Sequence, residues 1–222
     1  MKLPLPALHR IEGGVADWER IPSEEWNQWQ IRAAETNGLD TPGNRETAKG
    51  LISGLASLAL IARGHTTAGT LGLLWARNKD LKDGKIAEAT GTKGPVGEVA
   101  DVVTDNILAV MAVPALRYRK IISTEQAVAI GGIVGLKFFG SGITRARGRE
   151  EHASRIAKVG AALEWGGLIG LTAKRIAEEW HMPKAAEKIG AISDPVLNVG
   201  ITLGLAGSAG YLRTAFRRSQ RR

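Results

Sequence analysis

Residues 80–105 read DLKDGKIAEATGTKGPVGEVADVVTD and hold four of the seven aspartates in the chain. In the first half of this stretch, Asp80, Asp83, Gly84 and Ala87 are related by steps of three and four residues. On an α-helix these positions share one face. The pattern therefore predicts a helix with two carboxylates on one side and small residues beside them.

The second half of the stretch repeats the pattern after a turn. Gly97, Asp101 and Asp105 are spaced by four residues each, which places them along one stripe of a second helix. Between the two helices, GTKGP at 91–95 is typical of a turn, which would let the two acidic stripes face each other. The sequence thus predicts a helical hairpin with four carboxylates in one pocket.

Apolar segments surround this hairpin, and their length and lack of alternation indicate helices. We place them near residues 44–64, 66–88, 97–117, 124–147, 152–176 and 194–216. Only residues 195–212 form an uncharged run of the roughly 18–20 residues that a clean membrane span needs. However, GxxxG pairs at 50/54, 131/135, 166/170 and 200/204 are typical of helices that pack in lipid. We therefore predict an all-α, polytopic membrane protein with six transmembrane helices.

Residues 15–36 carry Trp18, Trp26 and Trp29 among charged residues at helical spacing, which favours an amphipathic helix at the membrane interface. A surface helix of a soluble bundle is the other reading of this segment. The resulting organisation is an N-terminal cytoplasmic segment with this juxtamembrane helix over residues 1–40, a six-helix domain over 41–218, and a basic tail over 219–222.

The net charge of +8 suits nucleic acid, an anionic membrane or a phosphorylated substrate. With both termini on one side of six spans, that side carries 20 Lys and Arg residues against eight on the other. The positive-inside rule then predicts an integral cell-membrane protein with its termini and active site on the cytoplasmic side. MKLPLPALHRIEGG lacks the features of a secretory signal peptide. A soluble, basic nucleic-acid binder is the alternative, but the cations recur at alternate ends of apolar helices, so we expect no nucleic-acid partner.

The chemistry of the acidic pocket is narrowed by the absence of cysteine, which excludes disulfides, zinc fingers and thiol nucleophiles. Carboxylate oxygens without nearby His suit Mg²⁺ or Mn²⁺, and paired ions are a usual device for moving phosphoryl groups. We therefore predict two such ions. The alternative is a solvated acidic turn balanced by neighbouring lysines, namely Lys79, Lys82, Lys85 and Lys93.

These residues resemble the CDP-alcohol phosphatidyltransferases, whose motif is D-x-x-D-G-x-x-A-R, eight residues, then G-x-x-x-D-x-x-x-D. Seven positions match with every gap of the right length, and Glu88 stands in place of the Arg. The resemblance implies a membrane enzyme of phospholipid synthesis, with an interfacial helix followed by six spans. It would transfer the phosphatidyl group of CDP-diacylglycerol to an alcohol and release CMP, while a catalytically impaired member acting as a membrane scaffold is the alternative.

The resemblance also implies roles for individual residues. The metal ligands would be Asp80, Asp83, Asp101 and Asp105, with Asp105 also acting as the general base. The nucleotide would contact Gly84, Ala87 and Gly97, together with Asn44 and Thr47, which look like the family's N-x-x-T pair. Two further positions depart from the family, because Gly50 and Asn106 stand where basic residues are usual.

The alcohol acceptor is indicated by a basic cluster within GSGITRARGREEHASRIAKVGAALEW, residues 140–165. Its cations are more numerous than helix ends require, and Arg suits the binding of phosphate. We assign the acceptor phosphate to Arg145, Arg147, Arg155 and Lys158. A faint similarity to phosphatidylglycerophosphate synthases favours glycerol 3-phosphate, with inositol phosphate, as in phosphatidylinositol phosphate synthases, or another polar alcohol as alternatives. A homodimer is compatible with the GxxxG faces but not required by them.

Overall fold

The computed structural model of the protein describes residues 23–146 and 154–216. Within these residues the chain forms helices joined by short turns, with no strand, which confirms the all-α part of the prediction. The helices are α1 (Ser23–Glu35), α2 (Pro42–Ala62), α3 (Thr66–Ala89), α4 (Pro95–Tyr118), α5 (Thr124–Ala146), α6 (Arg155–Glu179) and α7 (Pro183–Phe216). Residues 15–22 of the predicted interfacial helix and the basic tail lie outside the described ranges.

The long helices α2 to α7 correspond to the six predicted segments, with one difference at α7. This helix begins at Pro183, whereas the apolar pattern predicted a start near residue 194. The added part, PKAAEKIGAIS, is rich in Ala and Lys, which favour a helix without making it apolar. The apolar pattern of the sequence therefore did not predict this first part of α7.

The predicted turn between α3 and α4 is confirmed. Gly91 has a φ of +64°, and the amide of Thr92 donates to the carbonyl of Ala87 across the helix end at 2.9 Å. This is the left-handed C-terminal cap that glycine adopts without strain. Pro95 then opens α4, where its missing amide hydrogen costs nothing.

Two of the described helices are long and apolar enough to cross a membrane, namely α4 and the Pro183–Gly210 part of α7. Only 22% of the apolar window of α4 and 33% of that of α7 are buried within the protein. The core helix of a soluble protein is mostly buried, so these two helices differ from it in that respect.

The described chain divides into two compact units, and α2, α3 and α4 each contribute to both. Unit 1 comprises the described residues up to Ile52 together with Ala76–Thr104. Unit 2 comprises Ser53–Trp75 and the described residues from Asp105 onward. The core of unit 2 is built from fully buried aliphatic side chains, including Ile61, Leu116, Ile130, Ile133 and Leu197.

In unit 1, α1 is held by an arginine and an aromatic ring. The Arg45 guanidinium lies 4.7 Å from the ring centre of Trp29 and donates to both carboxylate oxygens of Asp40, at 2.7 and 3.0 Å. These hydrogen bonds hold the pKa of the Asp40 carboxyl below its usual range. The half-buried Trp29, which was predicted to lie at the membrane interface, thus contacts the guanidinium of Arg45 on α2.

In unit 2, α6 and α7 approach each other through glycines. A Cβ atom at Gly160 would lie 2.7 Å from the amide nitrogen of Gly204, and one at Gly167 would lie 2.6 Å from the Leu197 backbone. A Cβ at Gly200 would overlap the backbone of Glu164. Real side chains essentially never come so close, so this backbone contact requires glycine at these positions.

The four predicted GxxxG pairs behave differently. Gly200/Gly204 lies in the α6–α7 contact, and Gly54 packs against Leu108 of α4, so close helix approach is confirmed there. At Gly131/Gly135 an added Cβ would have no heavy atom within 4 Å, so the described part of the chain forms no close helix contact at that pair. The spacing is equal in both cases, and the partner helix decides which pair is used.

We expect Gly167→Ala to lower the midpoint of thermal unfolding of the detergent-purified protein by several degrees, since overpacking of this kind costs about 1–3 kcal/mol. The neighbouring Gly166→Ala is the matched control, because a Cβ at Gly166 points into open space. Alanine is also a better helix former than glycine there. A thermal scan in which both variants melt alike would contradict the backbone contact at Gly167.

Candidate functional site

Unit 1 brings the predicted metal ligand Asp83 together with the predicted nucleotide contact Thr47. The Thr47 hydroxyl of α2 donates to Oδ2 of Asp83 on α3 at 2.5 Å, and both residues are buried. The amide of Gly84 donates to the other oxygen, Oδ1, at 2.6 Å. The carboxylate of Asp83 therefore has a fixed orientation, because each of its two oxygens accepts a hydrogen bond.

Small residues allow α2 and α3 to approach each other beside this pair. A Cβ at Gly43 would lie 3.0 Å from the Cβ of Ala87 and 3.1 Å from the carbonyl oxygen of Asp83. The methyl group of Ala87 thus lies against α2. The contact with nucleotide predicted for this residue stays a prediction. Gly43 was not predicted as part of the site, and its only signal in the sequence is its position one turn before Thr47.

Gly84 has the opposite environment. It is exposed, and an added Cβ would meet no heavy atom within 4 Å. A ligand could therefore approach the backbone of α3 closely at this residue, as predicted for the nucleotide.

Asn44 and Gly97, both predicted to contact nucleotide, also come together in unit 1. The Asn44 amide nitrogen donates to the carbonyl oxygens of Gly38 and Leu39, at 2.8 and 3.0 Å. A Cβ at Gly97 would lie 3.1 Å from the Asn44 side-chain oxygen. Asn44 therefore fixes the turn between α1 and α2, and its side-chain oxygen lies beside Gly97 of α4.

An ion-pair network that the sequence did not predict joins α2 to α3 nearby. Glu46 accepts from Lys79 at 2.7 Å and from Lys49 at 2.6 Å. Beside it, a Cβ at Gly50 would lie 3.5 Å from the Cβ of Lys79. Glu46 and Lys49 are three residues apart, which was a readable signal, but the partner on α3 depends on how the helices pack.

The remaining predicted carboxylates are placed by their helices. Asp101 is exposed on α4, and Asp105, one turn later, is half-buried at the first position of unit 2. Asp80 lies on α3 one turn before Asp83, and its side chain is outside the described part.

Carboxylate oxygens are the donors that Mg²⁺ and Mn²⁺ prefer, so the donor chemistry fits these ions. Among the described side chains, which do not include that of Asp80, no three His, Asp or Glu residues lie close enough to hold a metal ion.

Glu88, which occupies the position of the family's arginine, is exposed on the last turn of α3. Within the described part of the chain it makes no ion pair. The negative charge is therefore left to solvent rather than tied to Arg77 or a neighbouring lysine.

The predicted acceptor residues are only partly described. Arg155 opens α6 and Lys158 follows in its first turn, and both are exposed. Ser154 caps this helix, since its hydroxyl oxygen accepts from the amide of Ala157 at 3.1 Å. Arg145 lies in the last turn of α5 with its side chain outside the described part, and Arg147 lies outside the described ranges altogether.

No acidic residue stands in the first turn of α6, although the positive end of a helix dipole favours one there. The cationic side chains of Arg155 and Lys158 thus lie at the N-terminus of α6, and this arrangement attracts an anion.

Comparison of the chain with protein-family models, with curated proteins and with solved structures gave no match.

Proposed function

We propose that this protein is a membrane phosphatidyltransferase that moves the phosphatidyl group from CDP-diacylglycerol to an alcohol and releases CMP. The observation that carries the proposal is the seven-position pattern from Asp80 to Asp105, four positions of which are Asp, a residue that occurs only seven times in the chain. The contact of Thr47 with Asp83 supports it, because two residues chosen for one site from segments far apart in sequence touch each other.

The residues of unit 1 suit the binding of a CDP group. The open space at Gly84 leaves room for a base or ribose against the backbone of α3, and Thr47 fixes the neighbouring carboxylate. A pair of Mg²⁺ or Mn²⁺ ions, held by Asp80, Asp83, Asp101 and Asp105, would supply charge stabilisation at the pyrophosphate. In this proposal Asp105 takes the proton from the acceptor hydroxyl as its oxygen attacks phosphorus, while CMP leaves.

The acceptor that we propose is a phosphorylated alcohol, with glycerol 3-phosphate as the first candidate. Arg155 and Lys158 present two exposed positive charges at the N-terminus of α6, where backbone amides also favour an anion. Free inositol is uncharged and would gain nothing from this cluster, and serine offers only a singly charged carboxylate, whereas a phosphate monoester carries more negative charge and more acceptor oxygens.

The six-span topology, with the termini and active site on the cytoplasmic side, is part of the same proposal. Along α4 an exposed apolar stripe runs through Val99, Val103, Ile107 and Val110. Water disfavours such a continuous stripe, whereas lipid or a protein partner would cover it. Phe138 on α5 and Leu71 on α3 are also exposed, which extends the same argument to two further helices.

The test is CMP release from CDP-diacylglycerol by detergent-purified protein with Mg²⁺ or Mn²⁺. Glycerol 3-phosphate, inositol phosphate, inositol and serine are offered in parallel, with chelator added to matched samples. We expect metal-dependent release that requires a phosphorylated acceptor. Protein that binds CDP but releases no CMP would instead support the scaffold alternative, and protein that does not bind CDP would contradict the proposed site.

A further inference from the structure

An open pocket of about 500 Å³ lies in unit 2, and none of the residues assigned above contributes to it. Its walls come from the end of α4, the loop that follows, the first turn of α5 and the middle of α7. Charged side chains of both signs line it, namely Arg117, Lys120, Glu125 and Asp194. The volume is in the range of small-molecule binding sites.

One side of the pocket is cationic. Arg117 donates from Nε to the hydroxyl of Thr124 at 3.0 Å, which orients the guanidinium, and its charge also attracts the nearby carboxylate of Glu125. Lys120 has a φ of +56° in the turn after α4, and its ammonium has no partner within the described residues. The planar guanidinium of arginine suits bidentate binding of a carboxylate or phosphate.

The other side of the pocket is anionic and held in place by α5. Asp194 accepts one hydrogen bond through Oδ1, from the side-chain amide of Gln126 at 3.4 Å. The other carboxylate oxygen has no partner among the described residues. Gln126 is itself fixed by a reciprocal cap with Ser123, at 3.0 and 3.2 Å, and by a hydrogen bond to Asn198 at 3.2 Å.

We propose that this pocket binds a small zwitterion, with its phosphate or carboxylate at Arg117 and Lys120 and its ammonium at Asp194. A simple anion would leave Asp194 and the nearby Glu125 repelling it, and a simple cation would be repelled by the arginine and lysine. A molecule that carries both charges satisfies both sides. The inference uses none of the acidic motif and holds or fails independently of the phosphatidyltransferase proposal.

The direct test is calorimetric titration of the detergent-purified protein with phosphoethanolamine, inorganic phosphate and ethanolamine. We expect phosphoethanolamine to bind about tenfold more tightly than either half, because only it can use both sides at once. Equal affinity for phosphate and phosphoethanolamine would overturn the proposal, as would the absence of binding by all three.

Two variants separate this pocket from adventitious binding. Asp194→Asn keeps the shape and a hydrogen-bond acceptor but removes the charge, so we expect phosphoethanolamine to fall to the affinity of phosphate. Glu187→Gln, an exposed position on the same helix, is the matched control and should bind as the unmodified protein does. Unchanged affinity in Asp194→Asn would show that the ligand binds elsewhere and overturn the assignment.

The zwitterion could be a free solute or a lipid headgroup, and nanodiscs distinguish them. In phosphatidylglycerol nanodiscs we expect soluble phosphoethanolamine to bind as it does in detergent. If added phosphatidylethanolamine then weakens that binding in proportion to its content, the pocket takes the headgroup. If it does not, the pocket takes the free solute, and either result supports the binding of a zwitterion. Loss of all binding in both nanodiscs would count against the pocket.

Discussion

Replacing Asp105 by asparagine is expected to lower the rate of CMP release by about 10²–10⁴-fold, the usual contribution of a general base, or more if the side chain also binds metal. Asparagine keeps the shape of aspartate but cannot accept the proton of the acceptor hydroxyl. Asp105 is half-buried on α4, one turn after Asp101, so the substitution leaves the helix intact. CDP binding should change little, because the substitution alters none of the predicted nucleotide contacts on α2, α3 and α4.

The measurement compares initial rates of CMP release with the affinity for CDP, the latter by calorimetry on the same preparation. Glu187→Gln removes an exposed carboxylate far along the chain and serves as the control for loss of one negative charge. A parallel fall in turnover and in CDP affinity would remove Asp105 from the role of base. An unchanged rate would remove it from the site.

Replacing Gly84 by valine is expected to weaken CDP binding by about tenfold or more, because steric overlap in a packed site costs roughly 1–3 kcal/mol. The substitution should not disturb the packing of the protein, since a Cβ at Gly84 meets no heavy atom of the described chain within 4 Å. Valine is also no worse than glycine within a helix. The variant should therefore fold, and its defect should be confined to the ligand.

Gly131→Val on α5 is the matched control, because that glycine is also helical and also open. Both variants should unfold at temperatures close to that of the unmodified protein, and only Gly84→Val should lose CDP affinity. If Gly84→Val binds CDP normally, the nucleotide lies elsewhere. If Gly131→Val loses affinity equally, the effect is one of stability rather than of contact.

The sequence predicted the local part of the fold well. Helical class follows from the apolar spacing, and the turn at 91–95 follows from a glycine that can adopt positive φ and a proline that can only begin a helix. The start of α7 was missed because residues 183–193 form a helix without forming an apolar run. Local sequence patterns therefore predict the helices. They missed residues 183–193, which favour a helix but are too polar to form an apolar run.

The candidate site was predicted in the same way, through spacing on single helices. Each acidic group lies on a single helix, namely Asp80 to Ala87 on α3 and Gly97 to Asp105 on α4. The spacing of the residues along the sequence is therefore enough to predict that each group shares one helix face. Asn44 and Gly97 lie next to each other in the structure, but their contact with nucleotide stays a prediction, and the turn that the Asn44 amide nitrogen fixes was not anticipated.

By itself, then, the sequence determined which residues share a helix face, where the helices turn, and which chemistry those faces could support. Only the tertiary structure decided which faces meet. It joined Thr47 to Asp83 and Glu46 to Lys79, and it used Gly200/Gly204 in a backbone contact while leaving Gly131/Gly135 open. The physical reason is that spacing is fixed by the geometry of one helix. Contact depends instead on the shape and charge of a second helix far away in the chain, and no local pattern encodes that pairing.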